Sequence, residues 1–190
     1  MGDTKSALLD TALQLFAAEG YENVGTQKIV EMAQVKKPTL YYHFGSKQGL
    51  LEAVLQRIYA PFLEGLKAKS AYDGDLTLTL ESLVEHCFVF AREQPAVYRW
   101  GLALGYAPEQ SEACLTMRPF LARQVQLLTQ VFEAAAAQHG NLRGRSPELG
   151  LSFLGMINAS ITRSFYEQTP LDRSQAFQSC KQFMHGIYAG

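Results

Sequence analysis

The sequence predicts an all-α protein of about nine helices, and three observations support this prediction. Apolar residues recur at helical spacing along most of the chain, as Leu8, Ala12 and Leu15 do near its start. Capping residues, glycines and prolines divide the chain into segments of helical length. No segment alternates apolar and polar residues strictly enough to predict a strand.

The N-terminal part is predicted to hold one longer helix followed by two very short ones. The first helix ends at Gly20, because a left-handed residue often terminates a helix and glycine adopts that conformation readily. A short helix is predicted over Thr26–Ala33, with Thr26 as its N-cap. The next one spans Lys37–Phe44, with Pro38 in the first turn, where its missing N–H is tolerated.

The rest of the chain is predicted to be helical as well. Ser46 is expected to cap a long helix, and the polar segment 71–75 is the clearest break after it. Ser146 is likewise expected to act as an N-cap, ahead of Pro147. Further helices are predicted before Pro95, in the aromatic segment that follows, and over Ser111–Gln138, Glu148–Glu167 and Arg173–Tyr188.

The composition is that of a globular protein, and its charge is unevenly distributed. Hydrophobic residues make up 47% of the 190 residues and charged ones 18%, and the net charge is −1. The segment Thr26–Lys47 nevertheless carries four lysines and one acidic residue. A local cationic segment on a near-neutral chain is typical of a small DNA-contacting domain.

The cysteines and the apolar segments indicate where the protein works. Cys87, Cys114 and Cys180 show no metal-binding spacing, so we expect buried free thiols, with a redox sensor or a disulfide as alternatives. No secretion signal and no membrane-spanning segment is recognisable. We therefore expect a cytoplasmic protein without a metal site or a cofactor.

Two short helices joined by a tight turn have the layout of a helix-turn-helix. The residues of Lys36–Phe44 and of Gly45–Leu51 closely resemble the recognition-helix region of the tetracycline-repressor (TetR) family of transcriptional regulators. Ala12–Phe16, Gly20–Glu22 and Thr26–Ala33 extend the resemblance, which beyond residue 55 is limited to length and helical character. It implies a helix-turn-helix DNA-binding domain over residues 1–47 and a helical ligand-binding and dimerisation domain over residues 48–190.

Nine residues are the candidates for DNA contacts. Lysine and threonine can address base edges, whereas tyrosine, histidine and lysine suit phosphate oxygens. The resemblance implies backbone contacts by Thr26, Tyr41 and Lys47. Alternatives are that the lysines are a solvated face, that Tyr42 belongs to the core, and that His43 is a structural hydrogen bonder. The candidates are Thr26, Gln27, Lys36, Lys37, Thr39, Tyr41, Tyr42, His43 and Lys47.

Two residues depart from the family pattern. Gln34 stands where the family usually has glycine, which predicts a side chain at an unusual backbone angle or an altered turn. Lys36 stands where a capping serine is common, and a lysine at that place forfeits a cap worth about 0.5–2 kcal/mol. We interpret Lys36 as a residue that serves DNA binding rather than the fold.

The C-terminal two-thirds is predicted to dimerise and to bind a ligand. The last two helices offer small and apolar residues for a homodimer interface, although some of them could simply fill the monomer core; the candidates are Ser152, Gly155, Ala159, Phe177 and Met184. The middle helices carry candidates for a hydrophobic or aromatic small molecule, and the same residues would also serve as ordinary core. They are Phe88, Tyr98, Trp100, Tyr106, Met117, Phe120, Gln124, Phe153 and Asn158.

The function predicted from these observations is transcriptional regulation. A homodimer would bind a palindromic operator in double-stranded DNA, most simply as a repressor that a small-molecule effector releases. An activator or a ligand-independent regulator is the alternative within this class, and a protein-interaction adaptor is a remote one. An enzyme is not expected, because the chain contains no phosphate-binding loop, no metalloprotease motif and no nucleophile elbow.

Overall fold

The computed structural model of the protein describes residues 2–186, with the side chains of residues 4–186, and the described part of the chain contains nine α-helices and no strand. This confirms the predicted fold class. A short 3₁₀ helix, Gly140–Leu142, precedes the eighth α-helix. The α-helices are α1 (Gly2–Glu19), α2 (Thr26–Met32), α3 (Lys37–Phe44), α4 (Lys47–Lys69), α5 (Leu76–Glu93), α6 (Pro95–Gly105), α7 (Glu112–Ala135), α8 (Ser146–Glu167) and α9 (Arg173–His185).

The chain packs into two units, and each is made of more than one stretch of sequence. The first unit contains the residues up to Pro61 together with Gln94–Leu121, and the second contains Phe62–Glu93 and the residues from Ala122 onward. Helices α4 and α7 therefore contribute residues to both units. The predicted division into a DNA-binding domain (residues 1–47) and a ligand-binding and dimerisation domain (residues 48–190) concerns function rather than packing, and it stays a prediction.

In the first unit, α1 carries the central apolar face. Leu8, Ala12 and Phe16 are fully buried, as their helical spacing predicts. The ring of Phe16 packs edge-on against Tyr21, with centroids 5.2 Å apart, and stacks on Trp100 of α6 at 6.0 Å. The core of this unit thus joins the N-terminal helices to α6.

In the second unit, α5 packs against α8 and α9. Its buried residues include Leu80, Val84 and Phe88. A cluster of aromatic rings lies between α7, α8 and α9: the centroids of Phe153 and Phe183 are 5.1 Å apart, and Phe132 lies 5.9 Å from Phe153. Such pairs add about 0.5–1.5 kcal/mol each to the stabilisation from burial.

The helix ends confirm some predicted signals and correct others. Gly20 has a φ of 84°, as its place after α1 predicts. The Ser46 hydroxyl accepts a hydrogen bond of 2.9 Å from the Gly49 N–H, which confirms it as a cap. The predictions for Thr26 and Ser146 are wrong: the N-caps of α2 and α8 are Gly25 and Arg145, neither with a side-chain cap.

Several predicted helices differ from the observed ones at their ends: α2 ends at Met32 rather than Ala33, and α8 begins at Ser146 rather than Glu148. Helix α7 is shorter than the predicted Ser111–Gln138, because the chain turns away from the helix after Ala135. Tyr106 lies one residue beyond α6, as its C-cap. For the last helix, residues 187 and 188 of the prediction lie outside the described residues.

The cysteines are free thiols, as predicted. Cys87 and Cys180 are buried, and burial raises the pKa of each thiol to about 12. Cys114 is half-buried. In the described part of the chain, no helix is both long and apolar enough to cross a membrane.

Two glycines of α8 allow a direct test of its packing. A side-chain carbon at Gly150 would lie 2.9 Å from the backbone nitrogen of Thr129 in α7, whereas one at Gly155 would meet nothing within 4 Å. We expect Gly150→Ala to lower the free energy of unfolding by about 1–3 kcal/mol, because a helix backbone cannot yield to the added carbon. Gly155→Ala should leave the unfolding free energy of the single subunit unchanged or raise it by up to about 1 kcal/mol, so both variants are compared at a protein concentration low enough to dissociate any dimer. Urea unfolding at one protein concentration measures both, and equal destabilisation by the two variants would contradict the close approach of α7 and α8.

Candidate nucleic-acid interface

The candidate recognition helix is α3, and its position follows from local signals. It begins after Lys36, which has an extended backbone and no side-chain cap bond, and it ends at Gly45. Leu40 is fully buried and anchors the helix beneath its exposed face. A side-chain carbon at Gly49 would overlap the carbonyl oxygen of Phe44, so the first turn of α4 lies directly against the end of α3.

The turn between α2 and α3 has the geometry expected from its unusual residue. Gln34 has a φ of 55°, which confirms that its side chain accompanies a left-handed backbone. The Val35 N–H donates to the Val30 carbonyl at 2.9 Å and the Gln34 N–H donates to that of Glu31 at 3.1 Å. This pair of bonds is the Schellman motif that commonly ends a helix, with glutamine in the position that glycine usually holds.

The nine DNA-contact candidates differ in exposure. Gln27, Lys36, Lys37 and the two tyrosines are exposed, and Thr26, Thr39, His43 and Lys47 are half-buried. Tyr42 is 76% exposed, so the alternative that it belongs to the core is wrong. Its ring lies edge-on to His43, with centroids 5.2 Å apart. The α3 part of this set thus offers hydroxyl, imidazole and ammonium groups on one short helix.

The lysines of this region fall into two electrostatic classes. Lys28 is paired with Glu19 at 2.6 Å. Lys36 and Lys37 are exposed, and among the described residues neither has a carboxylate within ion-pair distance. Their charge is therefore uncompensated locally, which favours binding of a polyanion such as the DNA backbone.

Lys47, at the N-terminus of α4, is positioned by contacts within the first unit. Its Nζ lies 4.0 Å from the centroid of the Tyr21 ring. The Tyr21 hydroxyl donates a hydrogen bond of 2.5 Å to Oε2 of Glu112, the first residue of α7. Burial, followed by this hydrogen bond, raises the pKa of Tyr21 well above its usual range. Glu112 thus holds Tyr21, and the ring of Tyr21 holds Lys47.

Sequence reasoning did not find this arrangement. Tyr21 belongs to the segment that resembles the family, but no role followed for it from its neighbours in sequence. Glu112 is 91 residues away and belongs to no motif. Its position as a first-turn acid of a helix predicts a favourable dipole interaction but names no partner.

The predicted ligand residues are divided between the two units. Tyr98, Trp100, Tyr106, Met117 and Phe120 belong to the first, and Phe88, Gln124, Phe153 and Asn158 to the second. Tyr106 is 85% exposed, and Phe120 and Asn158 are half-buried. The other six are buried, which fits both a pocket and ordinary core.

Trp100 differs from the other buried candidates in its hydrogen bonding. Its side chain is 4% exposed, and within the described residues its indole N–H has no acceptor. A buried donor without an acceptor costs about 1–3 kcal/mol. An indole N–H without an acceptor could donate a hydrogen bond to a ligand. The assignment of Trp100 as a ligand contact agrees with this, and it stays a prediction.

The five dimer candidates lie on exposed surface of α8 and α9. Ser152, Gly155 and Ala159 are exposed along one side of α8. In α9, Phe177 is 49% exposed and Met184 is 40% exposed. Large apolar side chains exposed on neighbouring helices are typical of surfaces that a partner covers.

Comparisons with known proteins agree with the geometry of α2 and α3. Residues 8–54 match the family model described as bacterial regulatory proteins of the tetR family. The HTH-type transcriptional activator FasR of Mycolicibacterium smegmatis is 28% identical over 192 residues, which cover 97% of this chain and 82% of that protein.

Solved structures share the whole fold. The fatty acid degradation regulator FadR of Bacillus halodurans has a TM-score of 0.81 at 17% identity, covering 98% of this chain and 97% of that one. The transcriptional regulator FadR of Bacillus subtilis, solved in complex with stearoyl-CoA, has a TM-score of 0.80 at 16% identity, covering 96% and 99%. At such identities, the likeness concerns the fold.

A recognition helix with uncompensated lysines, placed after a helix and a tight turn, defines a helix-turn-helix DNA-binding protein. The match over residues 8–54 and the similarity over nearly the whole chain to a transcriptional regulator agree with this class. The chain thus resembles the DNA-binding transcriptional regulators of the TetR family, most specifically over residues 8–54.

The two lysine classes give different salt dependences of DNA binding. We expect the double variant Lys36→Ala, Lys37→Ala to reduce the slope of log K against log salt by about 2, since each phosphate contact contributes about 0.9. Lys28→Ala should leave the slope unchanged, because Glu19 already compensates that charge. Fluorescence anisotropy with a mixed-sequence duplex across a salt series measures this. An equal reduction by the Lys28 variant would show that pairing with Glu19 does not decide which lysines bind DNA.

The hydrogen bond between Tyr21 and Glu112 should be visible in the pH dependence of stability. The folded state holds the Tyr21 proton more strongly than the unfolded chain does, because its pKa is raised on folding. The resulting contribution to the unfolding free energy is complete below pH 10, the ordinary pKa of tyrosine, and is lost as the pH rises further. Between pH 9 and pH 11, we expect the wild type to lose about 1.4 kcal/mol of unfolding free energy that Tyr21→Phe does not lose.

Tyr41→Phe is the matched control, because this hydroxyl belongs to an exposed side chain of the same unit. Urea unfolding at both pH values measures the difference. If Tyr21→Phe and Tyr41→Phe followed the same pH dependence, the Tyr21 proton would not be held by the fold.

Proposed function

We propose that the protein is a homodimeric repressor that binds a palindromic operator through α3 and is released by an apolar or amphipathic effector. The observation that carries the proposal is the exposed recognition helix, on which Lys36 and Lys37 have no compensating carboxylate in the described chain. Lys37 and Thr39 would address base edges, and Thr26, Tyr41 and Lys47 would hold the backbone. Such a regulator would act in the cytoplasm, where the chromosome is.

The outer surface of α8 and α9 supports the homodimer. Leu151 is 62% exposed beside the small residues Ser152, Gly155 and Ala159, and Tyr166 is 83% exposed toward the end of the same helix. Small residues permit two helices to approach closely, and the large apolar ones gain about 25 cal/mol for each Å² they bury. A dimer would place two recognition helices about 34–36 Å apart, one turn of B-DNA.

An acyl-type effector is supported by the solved structures with the same fold. Both FadR proteins are named as regulators of transcription or of fatty acid degradation, and one was solved with stearoyl-CoA. Six of the nine ligand candidates are buried, and of these six only Trp100 has a buried polar atom without a hydrogen-bond partner in the described chain.

Helix α4 would carry the signal, since it contributes residues to both units. Pro61 lies inside α4 at the last residue that belongs to the first unit, and Pro119 lies inside α7 two residues before that unit ends. An internal proline removes one helical hydrogen bond and lets the helix bend there. To release operator DNA, the effector must bind more tightly to a dimer whose recognition helices are not one turn of B-DNA apart. A 100-fold preference for that state amounts to about 2.7 kcal/mol per site.

Activation is the second candidate. The relative that is similar over nearly the whole chain is named a transcriptional activator. The DNA contacts would be the same, but the protein would raise transcription from a promoter next to its operator. In vitro transcription from such a promoter, with and without the protein, distinguishes the two signs.

The test is the selection of bound fragments from genomic DNA, followed by affinity measurements against a scrambled duplex. We expect a palindromic fragment bound about 10³-fold or more above background. Lys36→Ala should weaken binding, and Tyr41→Phe should do so more mildly, because it removes one hydroxyl from the interface. If a folded dimer enriched no fragment, with or without acyl compounds, the proposal of an operator-binding regulator would fail.

A further inference from the structure

A cavity of about 390 Å³ opens in the second unit, away from the residues named as ligand candidates. It lies where the start of α5, the end of α7, the loop 139–145, the start of α8 and the end of α9 meet. Its size falls within the range of about 300–1,000 Å³ that is usual for small-molecule sites. We propose that this cavity is the effector site and that it takes an anionic amphipath, a molecule with a carboxylate head and an unbranched apolar tail.

The floor of the cavity is apolar and closely packed. Leu80 and Phe132 are fully buried or nearly so, and Leu142 is 9% exposed. Phe183 lines the same floor and contacts Phe153, which lies one layer behind it. Packed aromatic and aliphatic side chains at this place give an apolar tail a preformed surface to cover.

The rim carries the polar groups, and they include one arginine and one aspartate. Arg145 and His139 belong to the segment before α8, and Asp75 directly precedes α5. Asp75 is already engaged, because its Oδ1 accepts a hydrogen bond of 3.0 Å from the Leu78 N–H and so caps α5. Arg145 forms no ion pair among the described residues and is left to bind an anion.

The position of Arg145 also points to an anionic partner. It is the N-cap of α8, a helix of 22 residues, and no side chain caps that end. A cation there opposes the helix dipole, and the guanidinium Nη1 donates only a long hydrogen bond of 3.4 Å to the Asn141 carbonyl oxygen. A carboxylate held by Arg145 would remove the unfavourable interaction and would satisfy the guanidinium with a charge-assisted hydrogen bond.

The volume limits the size of the ligand. A volume of about 30 Å³ for each small group, the share of one water molecule in the liquid, gives room for about a dozen non-hydrogen atoms. A ten-carbon carboxylate has that size. This assignment rests on the proposed function, because only an effector-controlled regulator needs such a site.

The experiment is calorimetric titration of the intact protein with decanoate, and with 1-decanol as the uncharged probe of equal tail length. We expect decanoate to bind about ten times more tightly or better than 1-decanol, since the decanol head cannot pair with Arg145. Arg145→Gln should weaken decanoate binding at least tenfold and leave decanol binding unchanged.

Arg143→Gln is the matched control. Arg143 lies on the same loop and is exposed, but it does not line the cavity; its Nε donates to the Ala136 carbonyl at 3.4 Å. Both arginines are exposed, so neither variant should disturb the fold, which circular dichroism verifies. Absence of decanoate binding, or equal losses in the two variants, would overturn the proposed site.

The link to DNA is tested separately. With a selected operator fragment, decanoate should lower the affinity of the wild type and should have at least tenfold less effect at the same concentration on Arg145→Gln. Decanoate binding that depends on Arg145 but leaves operator affinity unchanged would overturn the assignment as effector site. Failure to select any operator fragment would instead contradict the proposed function, while the calorimetric result would still decide whether the cavity binds the amphipath.

Discussion

The DNA-binding unit depends on the aromatic contacts of Phe16. This side chain is fully buried, and its ring faces Tyr21 on one side and Trp100 on another. Burying a phenylalanine contributes about 1.5–3 kcal/mol, and aromatic pairs add to that. Because Trp100 belongs to α6, the same contact that orders the end of α1 also makes α6 part of the unit that carries the recognition helix.

Local signals were enough to predict the candidate recognition helix from sequence. A proline in the first turn and a glycine at the end delimit α3 at the predicted residues, and the departure at Gln34 correctly indicated a left-handed backbone. The caps were predicted at Thr26 and Ser146, one residue too late, because each of these residues is itself the first of its helix. A preference for capping residues locates a helix start only to within a residue or so.

What the sequence could not predict depends on contacts between distant segments. Helical spacing identifies Phe88 and Phe153 as buried, but the same spacing holds for a pocket wall and for a filled core. The cavity in the second unit is formed by helix ends and by the loop 139–145, which has no periodicity to interpret. Arg145 and Asp75 meet at its rim only because α5 and α8 pack together.

The energies of single contacts are of the magnitude that the proposed release by an effector requires. A 100-fold change in operator affinity requires about 2.7 kcal/mol. A hydrogen bond to a charged group contributes about 1.5–3 kcal/mol, which is the same magnitude. The bond from Tyr21 to Glu112 is of this kind, and it joins the first residue of α7 to the ring that positions Lys47. Helix α7 also contributes residues to the second unit. Loss of this one hydrogen bond would therefore be large enough to account for the proposed effect of an effector on DNA affinity.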